Sequence, residues 1–118
     1  MRNFRNLDIW KSGFDLVKQI YNVTKGFPSS EMYGLTSQMR RASVSLPSNI
    51  AEGASRRTNT DFARFLEIAL GSSFELETQL MLSMELDYLK AEDFEKIITN
   101  LNSLQKQINS LLTKVRGD

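Results

Sequence analysis

Apolar residues recur along this chain in steps of three and four, the spacing of one helix face at about 3.6 residues per turn. The first such row is Leu7, Trp10, Phe14, Val17 and Tyr21. Its next position is Thr24, and Lys25, Gly26 and Phe27-Pro28 then supply a basic last turn and a stop. A second helix is expected from about Leu35 to Ala54, with Leu35, Met39, Ala42, Leu46 and Ile50 inward. Thr58-Asn59-Thr60-Asp61 offers capping hydroxyls and an early acid for a third, about Asp61 to Asp87. Its inward row is Phe62, Phe65, Leu66, Ala69, Leu76, Leu80 and Met84. Ala91-Glu92-Asp93 opens a fourth, with Phe94, Ile97, Leu101, Leu104, Ile108, Leu111 and Val115 on its stripe. No segment alternates as a strand does. Short connections make neighbouring helices antiparallel, so the pattern predicts an all-α, up-down-up-down four-helix bundle. One domain spans 1-118, and Pro28 is expected to start a helical turn within the loop Gly26 to Gly34.

Two helices carry a second apolar row. In the first it is Ile9, Leu16 and Ile20, with Gly13 between, about 100° round from the Trp10 row. In the third it is Ile68, Leu82 and Leu86. A wide core stripe would account for such rows. The reading preferred from the sequence is a subunit interface, made by Ile9, Leu16, Ile20, Ile68 and Leu82.

The second helix breaks its own pattern. Pro47 lies in its interior, where a proline removes the bond to the Ser43 carbonyl and costs about 3 kcal/mol. A kink at Pro47 is therefore expected. Asn49 beside it reads as a hydrogen-bonding plug for the disturbed backbone. Pro47, Asn49, Glu52 and Gly53 are accordingly structural candidates. So is Glu77, a carboxylate on the apolar side of the third helix that needs a partner such as Arg64, Asn49 or a second-helix arginine.

Composition excludes much chemistry. The chain has no histidine and no cysteine. Triads built on either, zinc fingers and histidine-bearing di-iron sites are thereby ruled out. No phosphate-cradling glycine loop occurs. Catalysis is not expected, and no cofactor or metal is implied. A magnesium hydrolase using Glu52, Glu75 or Glu77 would require those carboxylates to converge. No apolar run approaches the roughly 20 residues of a membrane span, and the N-terminus lacks the apolar block of a signal peptide. These features and the missing cysteine point to the cytoplasm.

Net charge is only +1, but its distribution is uneven. Residues 1–57 hold nine Lys/Arg against four Asp/Glu, and residues 58–118 hold six against ten. Lys11 and Lys18 recur on the first helix; Arg40-Arg41 and Arg56-Arg57 flank the interior of the second. Arginine forks bind phosphate oxygens, so these six residues are the nucleic-acid-binding candidates. No aromatic is interleaved among them, which gives no sign of base stacking. A second reading takes the same arginines up in intersubunit ion pairs of a protein-interaction scaffold.

Several of these residues carry a family resemblance. The runs Phe27-Pro28-x-x-Glu31-x-x-Gly34-Leu35-x-x-Gln38 and Arg40-Arg41-Ala42-x-x-Ser45-x-Pro47-x-Asn49-Ile50-Ala51-Glu52-Gly53 precede Gly71-Ser72 and Glu75-Leu76-Glu77-Thr78. Together they resemble the bacterial four-helix-bundle proteins encoded in 23S rRNA intervening sequences, related to accessory proteins of diversity-generating retroelements. The resemblance implies a non-enzymatic homopentamer. It also implies an RNA or DNA partner, and a reverse transcriptase or ribosome-related protein, met through Arg40, Arg41, Arg56 and Arg57.

Overall fold

The computed structural model describes residues 2–117. It contains four helices: α1 (Asp8–Thr24), α2 (Leu35–Ala54), α3 (Asn59–Glu85) and α4 (Ala91–Gly117). No strand occurs among the described residues. Short 3₁₀ turns at Phe4–Asn6 and Ser29–Glu31 precede α1 and α2, the second following Pro28 as its spacing suggests. Each helix packs on its neighbours in the chain, and α1 closes against α4, giving a four-helix bundle. Paired residues run in opposite order. Gly13 meets Leu46 and Pro47, whereas Thr24 meets Arg40; Ser45 meets Ser72, whereas Met39 meets Ser83.

Local chemistry fixes the boundaries. The Thr58 hydroxyl accepts from the Asp61 N–H at 3.1 Å and caps α3, with Asp61 favourable beside the helix N-terminus. At the other end of α3 Asp87 takes a left-handed φ of 64°. There the Tyr88 and Leu89 N–H groups turn back to the Ser83 carbonyl at 2.9 and 3.2 Å, which ends the helix. The Tyr88 hydroxyl donates to Glu31 at 3.0 Å, tying this turn to the loop before α2. That hydrogen bond first, then burial and the carboxylate charge, hold the phenol above its usual pKa of 10.0.

The core is continuous along the axis, with Leu16, Ile20, Met39, Leu46, Ile50, Phe62, Leu66, Leu76, Leu80, Leu101 and Ile108 all essentially sealed from solvent. This corrects the reading of α1. Ile9, Leu16 and Ile20 are core residues, 5%, 2% and 0% exposed, and so are not a subunit interface. The row taken as inward is the outer one: Phe14 is 49% and Tyr21 40% exposed, with Trp10 and Val17 half-buried. Gly13 explains the exchange. A Cβ there would lie 3.3 Å from both Leu46 Cδ2 and Pro47 Cβ, so a glycine on the Ile9 row lets α1 close onto α2. The interface candidates on α3, Ile68 and Leu82, are exposed at 45% and 49%.

Helix α2 is continuous through Pro47, whose ring is buried against Gly13. The packing that offsets its lost hydrogen bond thus lies within the subunit. Asn49 does not plug the Ser43 carbonyl. Its amide donates to the Ser45 carbonyl at 2.8 Å and the Ser45 hydroxyl at 3.0 Å, one turn below itself. Gly53 is the tightest point between α2 and α3: a Cβ would stand 2.7 Å from Phe65 Cβ.

Candidate nucleic-acid interface

The two arginine pairs of α2 sit at opposite ends of the bundle, separated by about 25 Å of helix axis. They therefore form two sites. At the end of α2, Arg56 lies over the Phe65 ring at 4.7 Å, and Glu52 is 3.9 Å away on the same exposed helix face. Arg57 is exposed and makes no ion pair among the described residues. Arg2, 54 residues earlier, joins them: its guanidinium donates to the Arg56 carbonyl at 3.1 Å and to Asn59, and stacks on Phe62 at 4.2 Å. Arg2, Ser55, Arg56 and Arg57 together line a depression of about 500 Å³ with no carboxylate among the described residues of its wall.

Arg2 was invisible to helical spacing because it precedes every periodic segment. A three-arginine depression at the N-terminus of a long helix suits phosphate oxygens, with Arg57 its freest fork because Arg2 already donates from both terminal nitrogens; the helix dipole adds positive potential. Arg5 of the first 3₁₀ turn and Arg116 of α4 extend the positive field at this end, although Arg116 is engaged by Glu67.

At the start of α2 the same dipeptide is used differently. The Arg40 guanidinium donates to the Thr24 hydroxyl at 2.9 Å and covers the Tyr21 ring at 4.7 Å, fastening α2 to the end of α1. Sequence reasoning favoured Arg40 as a phosphate ligand; its Nε is already committed. Arg41 faces the other way, into a polar groove between α2 and α3 lined by Tyr33, Ser37, Gln38, Ser45, Glu75 and Gln79. The lack of an aromatic interleaved among the arginines does not keep the fold from bringing one to this groove. Tyr33, 96% exposed, shares the groove with Arg41, brought there by the loop before α2.

The remaining candidates are dispersed. Lys11 is exposed on α1, and Lys18 is 3.4 Å from Asp15 and 5.7 Å from the Phe14 ring centre. Neither adjoins an arginine pair in the depressions just described. Ser48 lines an apolar groove with Trp10, Phe14, Val17, Val44 and Pro47. Glu77 finds its partner on α4: Gln105 Nε2 donates to it at 2.9 Å, so the mates expected for it, Arg64, Asn49 and the α2 arginines, are not used. Glu52, Glu75 and Glu77 thus serve three separate surroundings. No cluster of three or more potential metal ligands exists among the described residues.

Charge is uneven along the long axis, although Lys25, Arg40 and Arg41 stand at the end that also holds the α3–α4 turn. The turn from α3 to α4 carries Glu85, Asp87, Glu92, Asp93 and Glu95 against Lys90 and Lys96, opposite the arginine end. No helix is long and apolar enough to cross a membrane.

Such a molecule is a helical bundle with one cationic depression, one groove of mixed charge and no convergent carboxylate site among the described residues. Residues 5–110 match the family of 23S rRNA-intervening sequence proteins, and the chain belongs to that family. Its fold is similar to the crystal structure of a protein of unknown function from the S23 ribosomal protein family of Bacteroides thetaiotaomicron VPI-5482. The TM-score is 0.82 at 24% identity, over 89% of this chain and 95% of that one. No curated protein matches the sequence.

Proposed function

We propose that the protein is a non-enzymatic, homo-oligomeric adaptor that holds RNA or DNA at its arginine end. The observation that carries this is the carboxylate-free depression of Arg2, Arg56 and Arg57. Three guanidinium groups of like charge within one wall repel each other, and a polyanion relieves that repulsion. Aromatic stacking of Arg2 and Arg56 holds the forks in place before phosphate arrives.

Oligomerisation is supported by two unlike apolar surfaces. One is the groove of Trp10, Phe14, Val17, Val44 and Pro47 between α1 and α2. The other is the outer side of α3, where Ile68, Phe74, Met81, Leu82 and Leu86 are each about half exposed. Patches that differ and lie on different helices mate head to tail, and such contacts close into rings. The family resemblance supports five copies, and it supports a reverse transcriptase or a ribosome-related protein as the protein partner.

The test is a salt-dependent binding measurement with a short RNA hairpin. Arg56→Glu/Arg57→Glu weakens binding and flattens its salt dependence if the arginine end is the contact; unchanged affinity overturns the reading. The scaffold reading rests on a different observation, the acidic α3–α4 turn opposite the arginine end. If those two ends pair between copies, the same substitutions lower the mass in solution, measured by light scattering.

A further inference from the structure

The groove at the start of α2 differs in chemistry from the arginine end. Tyr33 offers an almost fully exposed ring. Arg41 stands beside it, unpaired with any acid among the described residues. Glu75 and Gln79 form the α3 wall, and the Gln79 Oε1 is buried without a hydrogen-bond partner although the residue is only 6% exposed. Ser45 is already committed to Ser72 and Asn49, which leaves the Arg41 cation, the Glu75 carboxylate, the Tyr33 ring and the polar side chains of Ser37, Gln38 and Gln79 for a ligand.

Stacking surface, cation and acceptors within one depression of about 560 Å³ match the parts of a nucleotide. An apolar ligand is disfavoured by the polar walls, and a bare phosphate by the Glu75 carboxylate. A base with adjacent N–H donors meets that carboxylate well. Guanine presents two such donors on its Watson–Crick edge, and a carboxylate accepts two parallel bonds in the way it accepts an arginine fork.

We propose that this groove binds one unpaired nucleotide, guanine preferred. Its base lies on Tyr33, its Watson–Crick edge faces Glu75 and Gln79, and its phosphate is held by Arg41. The unit is either a free nucleotide or one residue of a single strand. This rests on the nucleic-acid reading above and adds to it a site that reads a base, some 25 Å of helix axis from the end that holds phosphates.

Titration of the full chain with GMP, AMP and UMP, and with short single strands containing or lacking one guanine, tests it. GMP is expected to bind more tightly than AMP or UMP. Tyr33→Leu weakens GMP about tenfold, the loss of one base stack. Glu75→Gln removes the preference for guanine, and Arg41→Gln weakens GMP but not guanosine. All three positions are at the surface, so these variants keep the core intact. Arg56→Glu/Arg57→Glu leaves GMP affinity unchanged.

A strand containing guanine that binds through the groove while GMP does not assigns the site to a polymer; GMP alone assigns it to the free nucleotide. Absence of both, at concentrations of about 1 mM and with the RNA hairpin still bound, overturns the inference and spares the adaptor reading. Loss of hairpin binding with GMP retained does the reverse. If Arg41→Gln or Glu75→Gln lowers the solution mass, the groove is a contact between copies and the proposal fails.

Discussion

The two arginine pairs of α2 are the same dipeptide in one helix, and they differ in every neighbour. In each pair one member lies 4.7 Å over an aromatic ring, Arg40 on Tyr21 and Arg56 on Phe65. There the likeness ends. Arg40 also donates to Thr24, and Arg41 stands in a groove with Glu75, at the end of the bundle where acids of the α3–α4 turn gather. Arg56 and Arg57 share their depression with a third arginine and no acid. A charge's role is thus set by what the fold brings to it. The first pair fastens α2 to α1 and enters a groove of mixed charge; the second stands beside a third arginine.

Reversing charge separates the pairs most sharply. Arg56→Glu/Arg57→Glu should weaken RNA hairpin binding on the order of 100-fold, two charge-assisted contacts at about 1.5 kcal/mol each. It should also flatten the log–log salt slope by about 1.4 to 1.8. Arg40→Glu/Arg41→Glu should change that slope by less than half as much, measured in the same titration over about 50 to 200 mM salt.

Smaller effects probe what positions each pair. Gly53→Ala drives a Cβ toward Phe65, the ring beneath Arg56, and should cost about 1–3 kcal/mol in urea unfolding despite alanine's better helix propensity. Arg40→Met keeps the aliphatic cover of Tyr21 but loses the bond to Thr24; about 1 kcal/mol is expected, again from urea midpoints. By contrast Glu52→Gln should move stability by less than about 0.5 kcal/mol, since its pair with Arg56 is long and exposed.

The Tyr88–Glu31 bond anchors the loop that carries Tyr33, and it has a pH signature. The phenol pKa is raised in the folded state, so its contribution to stability is full below pH 10.0 and disappears as pH rises through the raised value. Tyr88→Phe should remove this alkaline loss and leave the neutral-pH groove chemistry to Tyr33 and Arg41. Thermal melts across that range check it.

The helices themselves were legible in the sequence, α2 to the residue at both ends and the others within about two residues, because long amphipathic periods leave little choice. Which face of α1 turns inward was not. Two apolar rows about 100° apart each satisfy the period, and burial is decided by what α2 presents. The usable signal was Gly13, a residue worth placing only where another helix presses close. The buried polar positions Ser43, Ser73, Gln79, Ser83 and Gln105 were likewise missed, being hidden in stripes judged by hydrophobicity alone. The candidate site was half legible. The arginine pairs stand out by eye, whereas Arg2 and Tyr33 reach them only through tertiary folding, from outside any periodic segment.

The molecule measures 45 Å along its longest axis and only 23 and 20 Å across, and its arginine end is the more positive of the two tips. Near a polyanion a body so charged would feel a torque as well as a pull. It would swing into line before touching, so fewer collisions would arrive the wrong way round, and the brake on orientation that slows neutral partners would be eased. Its other tip, where Lys25, Arg40 and Arg41 stand near the acids of the α3–α4 turn, carries a more nearly balanced charge.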